Sequence, residues 1–411
     1  MEQKLERNYE GLKVLDFSRV QAGPYVTMLL RDNGAEVVKI ERPYIGADEY
    51  VLPPFIENEK GKRSVYYMMM NRGKKSVALD MKDPECKEII FRLIQWADVL
   101  VENFAAGVMD RLGYGYEVAK KLNPRLIYCS ISTFGQEGPL ARQPGYDIVA
   151  QAMSGLMWMT GDPNGSPVKS GTTIGDDVGG LTALSAIGAA LYYRARTGKG
   201  QFIDIALRDT LSAILETSVI RYTSTHGAED PIRTGDHHPT MGPYGVFNAG
   251  RGRYIVIAAL MDKQWASLCK AMGKEAWGKQ PQFGSISDRG GQGKQEMIRG
   301  VEEWLQSFED YREPLRILQE NRVGCCPVMS IGDLLSDPQY RMRDTIVEVD
   351  DPIAGRVELP ATPMKFSETS VYNPLRAPLL GENTAEVLEE IAGCDRETVD
   401  RLVAKYVTGQ G

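Results

Sequence analysis

The sequence predicts an α/β protein in which a large domain, built on a mainly parallel sheet, is interrupted by a smaller α+β domain. Three observations carry this. Short apolar strands alternate with helical stretches between residues 11 and 207, the pattern of a parallel sheet with crossover helices. The texture then turns to Gly, Pro, Asp and His over 225–250 before strands and helices resume. At 411 residues the chain also exceeds what one core organises, so two or three domains are expected. Boundaries are drawn at 1–224 for the first part of the large domain, 225–326 for the small domain, and 327–411 for a linker and the return to the large domain.

The elements follow in order. "GLKVLDF" (11–17) reads as a buried strand, a helix is expected from Tyr25 to Asn33 ended by Gly34, and "AEVVKIE" (35–41) closes a βαβ unit. "SVALDM" (76–81) is a third strand. Asp83-Pro84 caps a helix with proline at its first position and Ile89, Ile90, Leu93 and Ile94 on its apolar face. "DVLVENF" (98–104) and "RLIYCSIS" (125–132) are strands. "TTIGDDVGG" (172–180) opens a helix with Leu181, Leu184, Ile187 and Leu191 at helical spacing, closed at Gly198. "GQFIDIAL" (200–207) is a strand and 209–224 a helix. "RYIVIAAL" (253–260) and a charged helix near 296–308 belong to the smaller domain. Strand pieces at 345–349 and 356–359 lead into "PLLGENTAEVL" (378–388), where Asn383 and Glu386 have capping-box spacing. Ligands of a parallel sheet bind at the carboxyl ends of its strands. No G-x-G-x-x-G follows the first strand, however; "SRVQAGPY" (18–25) stands there instead.

Composition narrows the function. With 43% hydrophobic and 25% charged residues and a net charge of -7, the chain is expected to bind neither nucleic acid nor an anionic membrane, and a phosphate-bearing partner must be met by local basic residues. No apolar stretch approaches the roughly 18 residues of a membrane span, and the charged N-terminal segment lacks a signal-peptide core. The six cysteines form no C-x-x-C pair, which suits a reduced, cytoplasmic protein. The three histidines, His226, His237 and His238, have no companions at ligand spacing, so neither a metal nor a permanently bound cofactor is expected.

The adjacent acids Asp176 and Asp177 raise a question. A helix start needs one capping side chain, and a cap with a first-turn acid accounts for both. The alternative is that one of them does chemistry.

The residues resemble a known family, the class III coenzyme A transferases of the CaiB/BaiF type. Formyl-CoA transferase and carnitine CoA-transferase belong to it, and the 2-methylacyl-CoA racemases are relatives. The words that carry the resemblance are "GLKVLDFSRVQAGP" (11–24), "EVVKIERP" (36–43), "DVLVENF", "NPRLIYCSIS", "GYDIVAQAMSG" (145–155), "TIGDDVGG", "RTGKGQFIDIAL" (196–207) and "APLLGENTAEVL" (377–388). Each is weak alone, but eight in the same order are specific. The resemblance implies an open Rossmann-like large domain and two chains interlocked as a dimer. It implies that Asp176 attacks an acyl-CoA thioester, giving an aspartyl anhydride and then an aspartyl-CoA thioester that passes CoA to a carboxylic acid. Such a step needs little acid–base help, because a carboxyl of ordinary pKa is already ionised at neutral pH. Glycines near the site are expected to supply N–H donors for the oxyanion, and Asp177 falls back to the cap.

Other roles follow from the same likeness. Tyr146 stands in "GYD" where the racemases have a histidine, which favours transfer over racemisation; read alone, it is a packed aromatic. Gln21 orients the acyl group, and Asp147 replaces a glutamate of formyl-CoA transferase. Val20 and Ala22 line the pantetheine channel, while Arg42, Lys82 and Arg111 meet phosphates or adenine. Leu79, Asn103, Phe104 and Leu207 wall the adenine and pantetheine. Arg142 and Arg72 are further phosphate candidates on charge alone. The substrates implied are an acyl-CoA, succinyl-CoA among the candidates, and a free carboxylic acid. A 2-methylacyl-CoA racemase and a non-catalytic subunit of a heteromer remain as alternatives, so the assembly is a homodimer or a heteromer with a related subunit. The four-glycine loop of formyl-CoA transferase is absent, "GPYGVFNAGRGRY" (242–254) occupying its place. That leaves an acceptor larger than oxalate open, with His237 and His238 near enough in sequence to approach it.

Overall fold

The structure, a computed structural model, describes residues 7–371 and 375–408; the first six residues of the charged N-terminal segment lie outside them. The chain forms two compact units, one of residues 1–156, 170–216 and 341–411, the other of 157–169 and 217–340. The divisions thus lie at 216 and 340 rather than 224 and 326, and a short excursion at 157–169 joins the second unit.

In the first unit, six strands form an all-parallel sheet: β1 Lys13–Asp16, β2 Glu36–Glu41, β3 Lys75–Ala78, β4 Val99–Glu102, β5 Ile127–Ser132 and β6 Gln201–Ala206. Their order is β3-β2-β1-β4-β5-β6, that of a doubly wound Rossmann sheet. The switch point lies between β1 and β4. Side chains leave successive positions of a strand on opposite faces. Along β4, Leu100 enters one core, with Leu15, Val38, Val77 and the helix residues Ile90 and Leu93. Val99 and Val101 enter the other, with Val14, Val26, Leu30, Ala183 and Ile187. Both faces are covered, which is why the strands read as continuous apolar runs.

The helices refine the reading. α1 (Ala22–Asp32) starts three residues earlier than expected. α2 (Pro84–Trp96) starts as expected, the Asp83 carboxylate accepting from the Glu85 amide. α3 spans Asp147–Met153 and α4 spans Ile174–Thr197, ended by Gly198 in the left-handed region. The buried stripe of α4 is Gly179, Gly180, Ala183, Ile187 and Ala190, whereas Leu181 is exposed. Small residues were needed there: a Cβ on Gly180 would meet the Ala22 carbonyl oxygen at 3.1 Å and the Tyr25 ring at 2.8 Å, so α4 packs tightly on α1. By length and composition α4 is also long and apolar enough to cross a membrane, a run of alanines and glycines that the sequence reading did not count as apolar; Ala183 and Ala190 among them are buried here. The helix expected over 209–224 is two, α5 (Leu207–Ala213) and a separate helix at Thr217–Ser224. Asn383 and Glu386 do not form a capping box. The Asn383 amide donates to Glu386, and its oxygen accepts from the Ser76 amide, tying this segment to β3.

The second unit holds an antiparallel sheet of β7 (Tyr244–Asn248), β8 (Tyr254–Ala258) and β9 (Gly324–Pro327) in the order β9-β8-β7. Its core includes Phe247, Ile255, Ile257, Trp265, Phe283 and Leu305. "GPYGVFNAGRGRY" is therefore a β-hairpin.

Arg72 is not a phosphate ligand. Its guanidinium is buried and forked on Asp32, with N···O distances of 3.0 and 2.6 Å, and donates to the Pro360 carbonyl at 2.7 Å. Removing one partner of a buried pair strands the other charge. Arg72→Met is expected to lower stability by about 3–5 kcal/mol in chemical denaturation while leaving the affinity for CoA unchanged.

Candidate active site

The site starts at the carboxyl end of β1. Asp16 is fully buried and accepts from the Ser18 amide (2.8 Å) and hydroxyl, the Thr27 hydroxyl (2.6 Å) and the Lys74 ammonium (3.0 Å). Burial alone would raise its pKa, but Lys74 and Lys39 outweigh that and hold it well below the carboxylate range. Lys39 donates to the Ser18 carbonyl at 2.6 Å. From across the switch point, Asn103 brackets the next residue: its Oδ1 accepts from the Arg19 amide at 3.0 Å and its Nδ2 donates to the Arg19 carbonyl at 2.8 Å. Val20 is thereby held at φ +66°, a conformation that costs a β-branched residue about 1–3 kcal/mol. Gly23 lets this loop fold against α1, since a Cβ there would meet the Ser18 Cβ at 2.2 Å.

Gln21 follows as the residue before α1. Its Nε2 donates to Asp177 Oδ1 at 2.7 Å, and its Oε1 accepts from the Tyr66 hydroxyl. Asp177 also accepts from Thr172. Neither acid caps α4. They occupy its first turn, the preceding Thr173 makes no side-chain cap, and the Gly175 amide is met by Asp147 at 2.7 Å from the start of α3. The other Asp147 oxygen accepts from Gln151 at 2.7 Å. The expected cap therefore belongs to Asp147.

Asp176 lies in the wall of a cavity of about 530 Å³. Val20, Gln21, Ala22, Asn103, Phe104, Tyr146 and Leu207 line it too. Burial, with the carboxylates of Asp147 and Asp177, pushes the Asp176 carboxyl up to about 7, so it is not fully ionised at neutral pH, contrary to the sequence reading. Tyr146 is 73% exposed, not a packed aromatic. Two glycines of the α4 start are otherwise engaged. Gly175 donates to Asp147, and a Cβ on Gly179 would meet the Leu207 side chain at 2.3 Å, so that glycine serves packing. Among the described residues the amides of Ala22 and Gly23, at the start of α1, have no acceptor, as expected of a helix N-terminus.

A second cavity, of about 750 Å³, gathers Arg42, Leu79, Lys82, Phe104 and Arg111. It shares Arg19, Asp48 and Phe104 with the first. Sequence reasoning missed Arg19, Asp48 and Tyr66; the position of Arg19 inside "SRVQAGP" was the available signal for the first. Arg142 lines neither cavity and is exposed. A third cavity, of about 300 Å³, lies beside Asp177, Gln21, Tyr25 and Thr172. His237 and His238 belong to the second unit and are partly buried there, the ring of one edge-on to Phe247 and that of the other to Tyr244.

A doubly wound sheet with two adjoining cavities, one holding Arg42, Lys82 and Arg111 and the other walled by the carboxyl of Asp176, defines a ligand-binding α/β protein of the nucleotide-cleft kind. The chain belongs to CoA-transferase family III, whose family model matches residues 9–384. It is 39% identical over 93% of its length to a succinyl-CoA:mesaconate CoA-transferase of Haloarcula hispanica, covering 96% of that protein. It is 35% identical over 98% of its length to the human succinyl-CoA:glutarate CoA-transferase, covering 90% of that chain. A crystal structure of a CAIB/BAIF family protein from Brucella suis superposes with a TM-score of 0.83 at 35% identity, covering 94% of this chain and 99% of the other. The protein is a CoA transferase that exchanges CoA between an acyl-CoA and a carboxylic acid. The racemase and non-catalytic alternatives give way to that reading.

Two outcomes follow from the raised Asp176 carboxyl. With Asp176 as the nucleophile that the family likeness implies, only its ionised form would attack, so kcat/KM for the acyl-CoA is expected to fall on the acid side of about pH 7, read from a pH–rate profile. In the fold this carboxyl holds its proton more tightly than in the unfolded chain, so its contribution to stability declines as pH rises from its ordinary value near 4 to about 7. Asp176→Asn escapes that loss. Because the group keeps some solvent contact, the variant should exceed the parent by about 1–3 kcal/mol at pH 8 and match it near pH 4 in denaturant titrations.

Proposed function

We propose that the enzyme carries CoA from succinyl-CoA to a short dicarboxylic acid, with Asp176 as nucleophile. The observation that carries this is the cavity pair: Asp176 lines one cavity, and three residues of that cavity also line the basic one. Arg42, Lys82 and Arg111 would hold the CoA phosphates, Arg guanidinium groups being suited to paired contacts with phosphate oxygens. Leu79, Phe104, Val20, Ala22, Asn103 and Leu207 would flank the adenine and pantetheine, bringing the thioester to Asp176. The donor and the acceptor class are those in the names of the two relatives above.

The chemistry runs in four balanced steps. The Asp176 carboxylate attacks the thioester carbonyl and the C–S bond breaks, leaving a mixed anhydride and CoA thiolate. The thiolate attacks the aspartyl carbonyl, releasing succinate and forming an aspartyl-CoA thioester. The acceptor carboxylate attacks that thioester, giving a second anhydride and the thiolate again. The thiolate takes the acceptor acyl group, and Asp176 is freed. Each tetrahedral oxyanion needs N–H donors, for which the unpaired Ala22 and Gly23 amides are suited. Gln21, fixed by Asp177 and Tyr66, and Tyr146 would orient the acyl group. The six cysteines, all free thiols, are in keeping with a reducing compartment, and we assign the enzyme to the cytoplasm.

Enzyme incubated with succinyl-CoA alone is expected to carry a hydroxylamine-sensitive adduct on the peptide containing Asp176, read by mass spectrometry. Asp176→Asn should lose the adduct and turnover together, whereas Asp177→Asn, whose oxygen can still accept from Gln21, should keep both. Label on Asp177 with an active Asp176→Asn enzyme would reverse the assignment.

The assembly belongs to the same proposal: a homodimer whose chains interlock. In the second unit, helix Thr217–Ser224 buries no residue of its own and exposes Ile220; the first unit, by itself, exposes Tyr146 and Tyr192, and each is surface suited to a second chain. Interlocked chains cannot part without unfolding. Sedimentation at nanomolar concentration should therefore detect dimer only, and a folded monomer would refute the interlock.

A further inference from the structure

We propose that Arg19 reads the distal carboxylate of the dicarboxylic substrate, and so sets the enzyme's preference for diacids over monoacids. The inference rests on the acceptor class proposed above. Its basis is a charge account of the two cavities. The cavity of Asp176 is lined by three carboxylates, Asp48, Asp147 and Asp176, and by a single cationic side chain, Arg19. A substrate with a second carboxylate enters an already acidic space and needs a positive partner there, because an unpaired charge is costly in a partly buried site. The neighbouring cavity has further cations of its own, Arg42, Lys82 and Arg111, beside Glu41 and Asp80, and the function proposed above gives those three to the phosphates of CoA. Arg19 is left for the substrate.

The geometry prepares it for that task. Arg19 lies in the stretch where the two cavities meet, its guanidinium over the Phe104 ring at 5.2 Å. Its Nη1 is 3.1 Å from an oxygen of Asp48, whose other oxygen pairs with Arg42. The side chain is half exposed, so the ion pair with Asp48 is weak and exchangeable. Asp48 meets the guanidinium through one nitrogen, Nη1, so a substrate carboxylate can replace it and gain two parallel hydrogen bonds on the fork. The backbone of Arg19 is meanwhile immobile: Asn103 holds its amide and carbonyl, and the next residue sits in the left-handed region. Such strain persists only where neighbours over-determine it, and it gathers at ligand sites. The loop thus fixes where the guanidinium can reach, while Asp48 keeps it neutralised until substrate arrives.

The test uses the intact enzyme with glutarate and valerate as acceptors, one a diacid and the other a monoacid with the same number of carbons, and free CoA as a binding probe. Wild-type enzyme should prefer glutarate. Arg19→Gln should lower kcat/KM for glutarate about 30- to 100-fold, chiefly through KM. It should leave valerate within about threefold and the Kd of CoA, by calorimetry, unchanged. Arg19→Lys, which keeps the charge but not the fork, should recover part of the glutarate rate and shows that the position tolerates change. A parallel loss for both acids with a raised CoA Kd would overturn the proposal and give Arg19 to the phosphates. A wild-type enzyme indifferent to the second carboxylate would overturn the acceptor class itself. Retention of the glutarate preference by Arg19→Gln would overturn only the role of Arg19.

Discussion

Asp16 and its two lysines are the constraint on which the site depends. A carboxylate at the end of the central strand is taken wholly out of water, and it survives there only because Lys74, the Ser18 amide and two hydroxyls saturate it. Lys39, which reaches the Ser18 carbonyl, also pairs with Glu49 at 3.4 Å. Buried ion pairs add little net stability, but a half-satisfied set is costly. Their effect is to leave the loop one conformation. That loop carries Arg19, Val20 and Gln21, and through Gln21 it reaches the first turn of α4. The helix start that carries Asp176 is thus registered to the sheet by polar contacts beneath it.

The electrostatics of the site pull in two directions. Asp16 is held ionised by neighbours of opposite charge, while Asp176 is held partly protonated by burial and by neighbours of like charge. A nucleophile of raised pKa is less often ionised but more basic when it is, and a desolvated carboxylate attacks more readily than a hydrated one. Arg42, Lys82 and Arg111, proposed above to hold CoA, line the adjoining cavity and not that of Asp176, so under that proposal the anionic substrate and the acidic group draw on different surroundings.

Much of this was legible in the sequence, for identifiable reasons. The strands of the large domain bury both faces and so appear as continuous apolar runs, and the Asp83-Pro84 start of α2 is written in local chemistry. What failed depended on contacts distant in sequence. The cap of α4 comes from Asp147, across twenty-odd residues, so an acid beside the helix looked sufficient. Arg72 read as a free cation because its partner, Asp32, lies on another helix. The apolar stripe of α4 was assigned to leucines, whereas the close approach to α1 selects glycine and alanine, which periodicity arguments undervalue. Within the site, the positions of Val20, Gln21, Ala22, Asn103 and Phe104 came from the family likeness. The role proposed for Arg19 needed the cavity.

The two neighbouring acids also say something about how this stretch can vary. Consecutive residues of an α-helix point about 100° apart, and Asp176 and Asp177 accordingly line different cavities, one shared with Tyr146 and Asn103 and one beside Tyr25 and Thr172. Substitution at either position is a local event. A change in chain length is not: one residue gained or lost just before the acids would swing one carboxylate into the other's compartment and turn the second away from both. The helix start should therefore accept a variety of side chains around the acids while refusing insertions and deletions, a restriction on the spacing of the text rather than on its letters.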